Sequence, residues 1–382
     1  MSIYYGMPTI TTRLTSIINS QLCQVPRELC MLSGYFCIRS EFTFGFHFIY
    51  HGSIHFKNQK GCDDMLKIVA VTGMNLTSMQ EQIPHDLKER IQFHWFSSSK
   101  DAGEMLPDAD VIISAGRLHP DILSRAPKLK WVQTLSAGVD KLPLAELDQR
   151  QVIVTNARGV HTIQMSEFAL SLMLQWVRKA NLLHDNQNQH VWDNQVRFGE
   201  LHGKTIGIIG AGAIGEAVAR KAKAFDMSVI GLNRSGTPQA AFDTTVHGEN
   251  GLQLLLSQSD FIVVLLPSTV KTRGFLQKEH LTLMKPSAFF INLARGDVLD
   301  EKALIQALQE GKLAGAALDV FEQEPLPAAS PLWDMKNVIL TPHIAGSSEH
   351  YTDRVSTIFY HNLRAMLDGG EMINVVDLAE GY

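Results

Sequence analysis

Cysteine is scarce: the chain has only Cys23, Cys30, Cys37 and Cys62, and everything beyond Cys62 is free of it. A disulfide-stapled scaffold is excluded for most of the sequence, and the first twenty residues lack the charged-then-apolar order of a secretory signal. A zinc site joining these cysteines to His47, His51 or His55 is the sharper alternative, but the paired C-x2–4-C spacing is missing. Long apolar runs are also absent. Phe261 to Pro267 is typical of the longest, far short of the ~20 residues that span a bilayer. Nor is there any excess of positive charge: 34 Lys and Arg face 39 Asp and Glu, for a net charge of -5. With no basic field for phosphate backbones or anionic lipid, neither nucleic acid nor membrane is an expected partner. The expected compartment is the cytoplasm. Internal repeats and low-complexity tracts are lacking too.

What is present is a globular composition, 45% hydrophobic and 19% charged over 382 residues, enough for two domains. Residues 1–64 differ in texture from the rest, being rich in Phe and Tyr with only brief alternation around Phe42 to Phe48. At Met65 the pattern changes, and Met65-Leu66-Lys67-Ile68-Val69-Ala70-Val71 reads as a start methionine followed by a buried strand. Residues 1–64 are therefore expected to be an extension outside the functional fold, translated from upstream of the true start.

From Met65 onward, short apolar runs alternate with helical stretches, as in a parallel sheet with crossover helices. Val111-Ile112-Ile113, Trp131 to Thr134 and Val152 to Val154 predict strands in the first part. Ser166 to Leu183, with Phe168, Leu172, Trp176 and Leu183 near helical spacing, predicts one long connecting helix. A second series follows at Thr205–Ile209, Ser228–Leu232, Phe261–Leu266, Ala288–Leu293, Ala314–Val320 and Val338–Leu340, six strands for a doubly wound sheet. Asp300 is placed to cap a helix through Leu308, and Gly311 to end it.

Gly210-Ala211-Gly212-Ala213-Ile214-Gly215 follows a predicted strand and opens a predicted helix, the context that gives a G-x-G-x-x-G pattern its meaning. Gly210 permits the tight turn, Gly212 lets a pyrophosphate approach the backbone, and Gly215 allows close packing. The N–H groups of Ala213, Ile214 and Gly215 then face the phosphates. A purely structural Gly-rich turn is the alternative. An NAD-preferring site places an acid at the end of the next strand, to hold the ribose 2′-hydroxyl. Here the run is Asn233-Arg234-Ser235. Arg234 suits a 2′-phosphate and Ser235 adds a hydrogen bond, so NADP(H) is the expected cofactor and NAD(H) the alternative.

Three polar residues sit just past later strands of the second series: Arg295, Glu324 and His343. Singly, each reads as an ordinary surface or turn residue. Beside a nicotinamide they divide a reaction between them. Arg295 can hold a substrate carboxylate and polarise its carbonyl, His343 can give a proton to the nascent alkoxide, and Glu324 can orient the imidazole and favour its charged form. This chemistry needs no metal.

These residues lie in motifs that together resemble the D-isomer-specific 2-hydroxyacid dehydrogenase family. They are Leu135-Ser136-Ala137-Gly138-Val139-Asp140, the Gly210 to Gly215 run, Asn292-Leu293-Ala294-Arg295-Gly296, Asp319 to Pro327, and Thr341-Pro342-His343-Ile344-Ala345-Gly346. The resemblance spans most of residues 65–382. It implies that Arg295, Glu324 and His343 are catalytic and that Ala137 and Gly138 N–H groups hold the substrate carboxylate. It also implies that Asp319 holds the nicotinamide amide, with Pro267, Thr272, Ala294 and His343 among the cofactor contacts. The implied fold is α/β: two doubly wound parallel-sheet domains, with a Rossmann cofactor domain (165–346) inserted in a flavodoxin-like substrate domain (65–164 and 347–382). A homodimer through the connecting helix and its following arm is likewise implied, although Phe168, Leu172 and Trp176 serve equally as core.

Within the family, the Ser136–Asp140 loop, the Asn233–Ser235 turn and the Leu174 to Trp192 stretch resemble NADPH-dependent glyoxylate and hydroxypyruvate reductases. The expected substrate is thus a small 2-oxo acid reduced to the D-2-hydroxy acid. Asn156 to His161 resembles broader 2-oxo-acid reductases, and His161 and Met165 either line the pocket or pack behind it. About forty residues follow His343, too few for a regulatory extension, so feedback control by serine is not expected. Two other readings stand beside this one. A short D-3-phosphoglycerate dehydrogenase is opposed by Asn233 and Arg234, and a nucleotide-sensing interaction protein without turnover is opposed by the intact trio.

Overall fold

The computed structural model describes residues 65–381. The expectations for residues 1–64, including the four cysteines and the zinc alternative, lie outside the described residues.

The first sheet comprises β1 (Leu66–Val71), β2 (Ile91–Phe96), β3 (Val111–Ser114), β4 (Trp131–Thr134) and β5 (Ile153–Thr155). All neighbours are parallel, in the order β2-β1-β3-β4-β5. This is the flavodoxin-like winding, whose order reverses between β1 and β3. β3 and β4 are buried at every residue, as befits central strands covered on both faces. On one face Ile68, Ile113 and Trp131 meet Phe359 and Leu363, with the Trp131 and Phe359 rings stacked 5.4 Å apart. Those two partners lie on the helix Tyr351–Asp368, so the last helix of the described residues covers the sheet formed by the first of them.

Between these ends runs a second sheet: β6 (Thr205–Ile209), β7 (Ser228–Leu232), β8 (Thr244–Val246), β9 (Phe261–Val264), β10 (Phe289–Asn292), β11 (Gly315–Leu318) and β12 (Val338–Leu340). Its order, β12-β11-β10-β9-β6-β7-β8, is the Rossmann winding with one further strand, and it reverses between β6 and β9. The sequence predicted six strands here and the structure has seven. β8 escaped notice because Thr244-Thr245-Val246 carries one apolar residue and so neither alternation nor an apolar run.

The connecting helix is also shorter than predicted. It runs Thr162–Val177 and is followed by a separate helix, Ala180–Asn188. Lys179 takes a left-handed φ of 53°, and the Val177 carbonyl accepts from Gly199 N–H rather than from the next turn. The returning segment therefore ends the helix where apolar spacing alone would continue it. Leu172 is buried, and Phe168 and Trp176 pack beside it on the second-sheet core, with Trp176 stacked on Phe289 at 4.4 Å. Both punctuation signals operate: Asp300 accepts from Ala303 N–H, and Gly311 has a φ of 66°. Among the described residues no helix is long and apolar enough to cross a membrane.

Candidate active site

β10, β11 and β12 are adjacent, and Asn292, Leu318 and Leu340 stand opposite one another in register at their carboxyl ends. Arg295, Glu324 and His343 follow these three ends. Residues far apart in sequence thus share the side of the sheet on which open α/β folds bind ligands.

His343 is held in an uncommon backbone conformation, with φ 55°. What fixes it is Asp319, just past β11 and only 2% exposed. The Asp319 carbonyl accepts from His343 N–H at 2.8 Å. One of its carboxylate oxygens accepts from Thr341 Oγ1 at 2.6 Å and Ile344 N–H at 2.9 Å, and the other from Ala345 N–H at 2.9 Å. A buried carboxylate must be satisfied in this way or cost stability, and here its satisfaction moulds residues 341–345 into one shape. The imidazole is then aimed by Glu324. Nδ1 lies 2.8 Å from one carboxylate oxygen, and the other accepts from Phe321 N–H at 3.2 Å. Both side chains are about one-third to two-fifths exposed, so the pair adds ~1 kcal/mol or less to stability, and its consequence is orientation.

Arg295 leans the other way, onto the first sheet's loop after β4. Nη1 donates to the Ala294 carbonyl at 2.8 Å, and Nη2 lies 3.5 Å from Asp140 Oδ1. The guanidinium sits so close to Gly138 that a Cβ there would fall 2.4 Å from Nη2. The carbonyls of this loop are occupied from within the first domain. The Ala137 carbonyl accepts from Asn156 Nδ2 at 2.9 Å and the Gly138 carbonyl from Ser136 Oγ at 2.6 Å. Among the described residues the Ala137 and Gly138 N–H groups have no acceptor. Two N–H groups and a guanidinium suit a carboxylate. Gly296 completes the join: a Cβ there would come within 2.0 Å of the Phe321 carbonyl group, so only glycine lets the Arg295 turn abut the loop leading to Glu324.

His161 lies behind this junction. Its Nδ1 is 3.1 Å from the Gly346 carbonyl, its ring stacks obliquely on Tyr351 at 5.2 Å, and a Cβ at Gly346 would collide with it. Burial pushes its protonation below the usual range, and the Arg295 charge adds to this against the pull of the Gly346 carbonyl. His161 therefore joins the first domain to the chain just past His343.

The residues of the glycine fingerprint fit a dinucleotide. Gly210 has a φ of 110°, and a Cβ at Gly215 would fall 2.4 Å from the Gly210 carbonyl oxygen. A Cβ at Gly212 would instead meet open space, at the start of the helix Ala213–Lys223. Past β7, Asn233 shapes its own turn, its amide bonding Gly236 N–H and the Thr237 carbonyl, and Ser235 Oγ bonds Thr237 Oγ1 at 2.7 Å. Arg234 is left 77% exposed at the tip. Thr272 Oγ1 bonds back to the Pro267 carbonyl and to Thr269, closing the loop after β9, and Ala294 N–H is held by the Asn292 side chain. No group of three metal-ligating side chains gathers among the described residues.

Sequence reasoning gave no role to Asp140, nor to the clamp that Asp319 exerts on the 341–345 loop. The first stood in a quoted motif, but its partner lies in the other domain; the second acts through backbone N–H groups, which leave no mark in sequence.

A family model described as D-isomer specific 2-hydroxyacid dehydrogenase, NAD binding domain, matches residues 170–345. A glyoxylate/hydroxypyruvate reductase B of Yersinia pestis is 36% identical over 291 residues, 72% of this chain and 88% of that protein. A D-3-phosphoglycerate dehydrogenase of Methanocaldococcus jannaschii is 37% identical over 278 residues, 72% of this chain but only 53% of its own length. Among solved structures, an NADPH-dependent glyoxylate/hydroxypyruvate reductase of Sinorhizobium meliloti, in complex with NADP and sulfate, superposes with a TM-score of 0.73 at 29% identity. The match covers 83% of this chain and all of that one.

Proposed function

The chain belongs to the D-isomer specific 2-hydroxyacid dehydrogenase family of oxidoreductases, and from that premise we propose that it reduces a small 2-oxo acid, glyoxylate or hydroxypyruvate, with NADPH. The observation that carries this reading is the convergence of Arg295, from past β10, with the unpaired Ala137 and Gly138 N–H groups, while the neighbouring strand ends present His343 on Glu324. The carboxylate of the acid is held by those N–H groups and Arg295, whose second edge polarises the 2-oxo group. When bound, the reduced nicotinamide supplies the hydride for the carbonyl carbon. Glu324 takes the Nδ1 hydrogen bond, so the proton given to the new alkoxide comes from Nε2 of the imidazolium. The product is the D-2-hydroxy acid. Asp319 keeps the histidine loop in place and offers its remaining acceptor capacity to the carboxamide.

The 2′-phosphate is assigned to Arg234, exposed at a turn that carries no acid. A phosphoglycerate reading would call for an acid there and further cations beside Arg295. Exposed Leu182, Leu183, Val191 and Trp192 on the arm after the connecting helix support pairing with a second copy. The cofactor assignment is tested with Arg234→Ala. The Kd for NADPH should rise about tenfold, the worth of one charge-assisted contact, with NADH changed less than twofold. Unchanged NADPH affinity would make Arg234 an ordinary surface residue.

A further inference from the structure

The turn after β7 and the loop after β9 flank β6, so both overlook the glycine fingerprint, one from each side. Each carries an exposed cation, Arg234 on the first and Lys271 on the second. Both converge on one carboxylate. Lys271 Nζ lies 2.9 and 2.8 Å from the two oxygens of Glu380, and Arg234 Nη1 lies 3.8 Å from the second of them. Glu380 belongs to the tail after the last helix, where Val376 and Leu378 pack on the first sheet's core, so its carboxylate reaches across from one domain to the other.

We propose that Lys271 is the second cation of the cofactor's 2′-phosphate site and that Glu380 is a built-in competitor for it. The proposal rests on the assignment of the 2′-phosphate to Arg234. Lys271 and Arg234 approach the same carboxylate oxygen from two sides, so the spot already places an anionic oxygen between two cations. A phosphate monoester carries about -1.5 to -2 charges and three acceptor oxygens, against one charge and two oxygens for a carboxylate. Exposed ion pairs are weak, so Glu380 is readily displaced. NADPH entry would then release the tail from the cofactor domain, whereas NADH has nothing to exchange for it. Selectivity for the 2′-phosphate thus comes from both sides of the cleft.

The test is equilibrium titration of NADPH, NADH, 2′,5′-ADP and 5′-ADP into wild type, Lys271→Met, Glu380→Gln and Arg234→Ala. Lys271→Met should weaken NADPH and 2′,5′-ADP about five- to tenfold, with NADH and 5′-ADP within twofold, the unphosphorylated ligands reporting an intact fold. Glu380→Gln should tighten the two phosphorylated ligands about two- to fivefold. Equal weakening of all four ligands by Lys271→Met, no effect of it, or no tightening by Glu380→Gln overturns the proposal. If Arg234→Ala alone lowers NADPH affinity, the Arg234 reading stands and this one falls. If Arg234→Ala changes nothing, the reading beneath it falls as well.

Discussion

His343→Asn is expected to lower kcat by about 10²- to 10⁴-fold, the usual worth of a positioned proton donor, while NADPH still binds. Asparagine is the informative choice. It tolerates the left-handed backbone that His343 adopts, at φ 55°, so the loop clamped by Asp319 keeps its shape. Its amide can also still donate to Glu324, which sits 2.8 Å from Nδ1 in the wild type. What it cannot do is carry and release a proton near neutral pH. Rapid-mixing traces at saturating cofactor separate this from a binding defect, and a variant with wild-type kcat would remove His343 from the chemistry.

The second large effect is expected from Arg295→Gln, with kcat/KM down about 10²- to 10³-fold, comparable to loss of a group that stabilises developing negative charge. Arg295 bridges the two halves of the site. Its backbone follows β10, and its guanidinium lies beside Gly138 and 3.5 Å from Asp140. Glutamine keeps length and some hydrogen bonding but has neither the charge nor the fork. Both kcat and KM should suffer, because the contact to the carboxylate exists before reaction and the pull on the carbonyl oxygen grows during it. A loss confined to KM would restrict Arg295 to anchoring. The variant should bind NADPH as wild type does, which distinguishes lost chemistry from lost structure.

These two residues also show how far the sequence carries. Arg295, Glu324 and His343 were legible because each closes an apolar run long enough to read as a strand, and the parallel winding then sets neighbouring ends side by side. The fingerprint was legible for the same reason, as a strand, a turn and a helix in fixed order. β8 was not, since Thr244-Thr245-Val246 offers a single apolar residue, unlike the equally short Val338-Ile339-Leu340 of β12. The break at Lys179 was not, because its cause is a distant segment, Gly199, taking the Val177 carbonyl. The partnerships of Asp140 with Arg295, His161 with Gly346, and Glu380 with Lys271 bring together residues over a hundred positions apart, and nothing local announces them. Nor does the sequence announce that Asn233, the neutral residue opening the Asn233-Arg234-Ser235 run, shapes that turn through its own amide, which bonds Gly236 N–H and the Thr237 carbonyl.

The central claim is turnover, and loss of reduced-nicotinamide absorbance tests it most directly. Purified protein would be given NADPH or NADH with glyoxylate, hydroxypyruvate, pyruvate or a bulkier 2-oxo acid. The predicted result is rapid oxidation of NADPH with glyoxylate or hydroxypyruvate, slower oxidation of NADH, and decline as the 2-oxo acid grows. Binding of NADPH without turnover on any of these acids would contradict the account and leave a nucleotide sensor in its place.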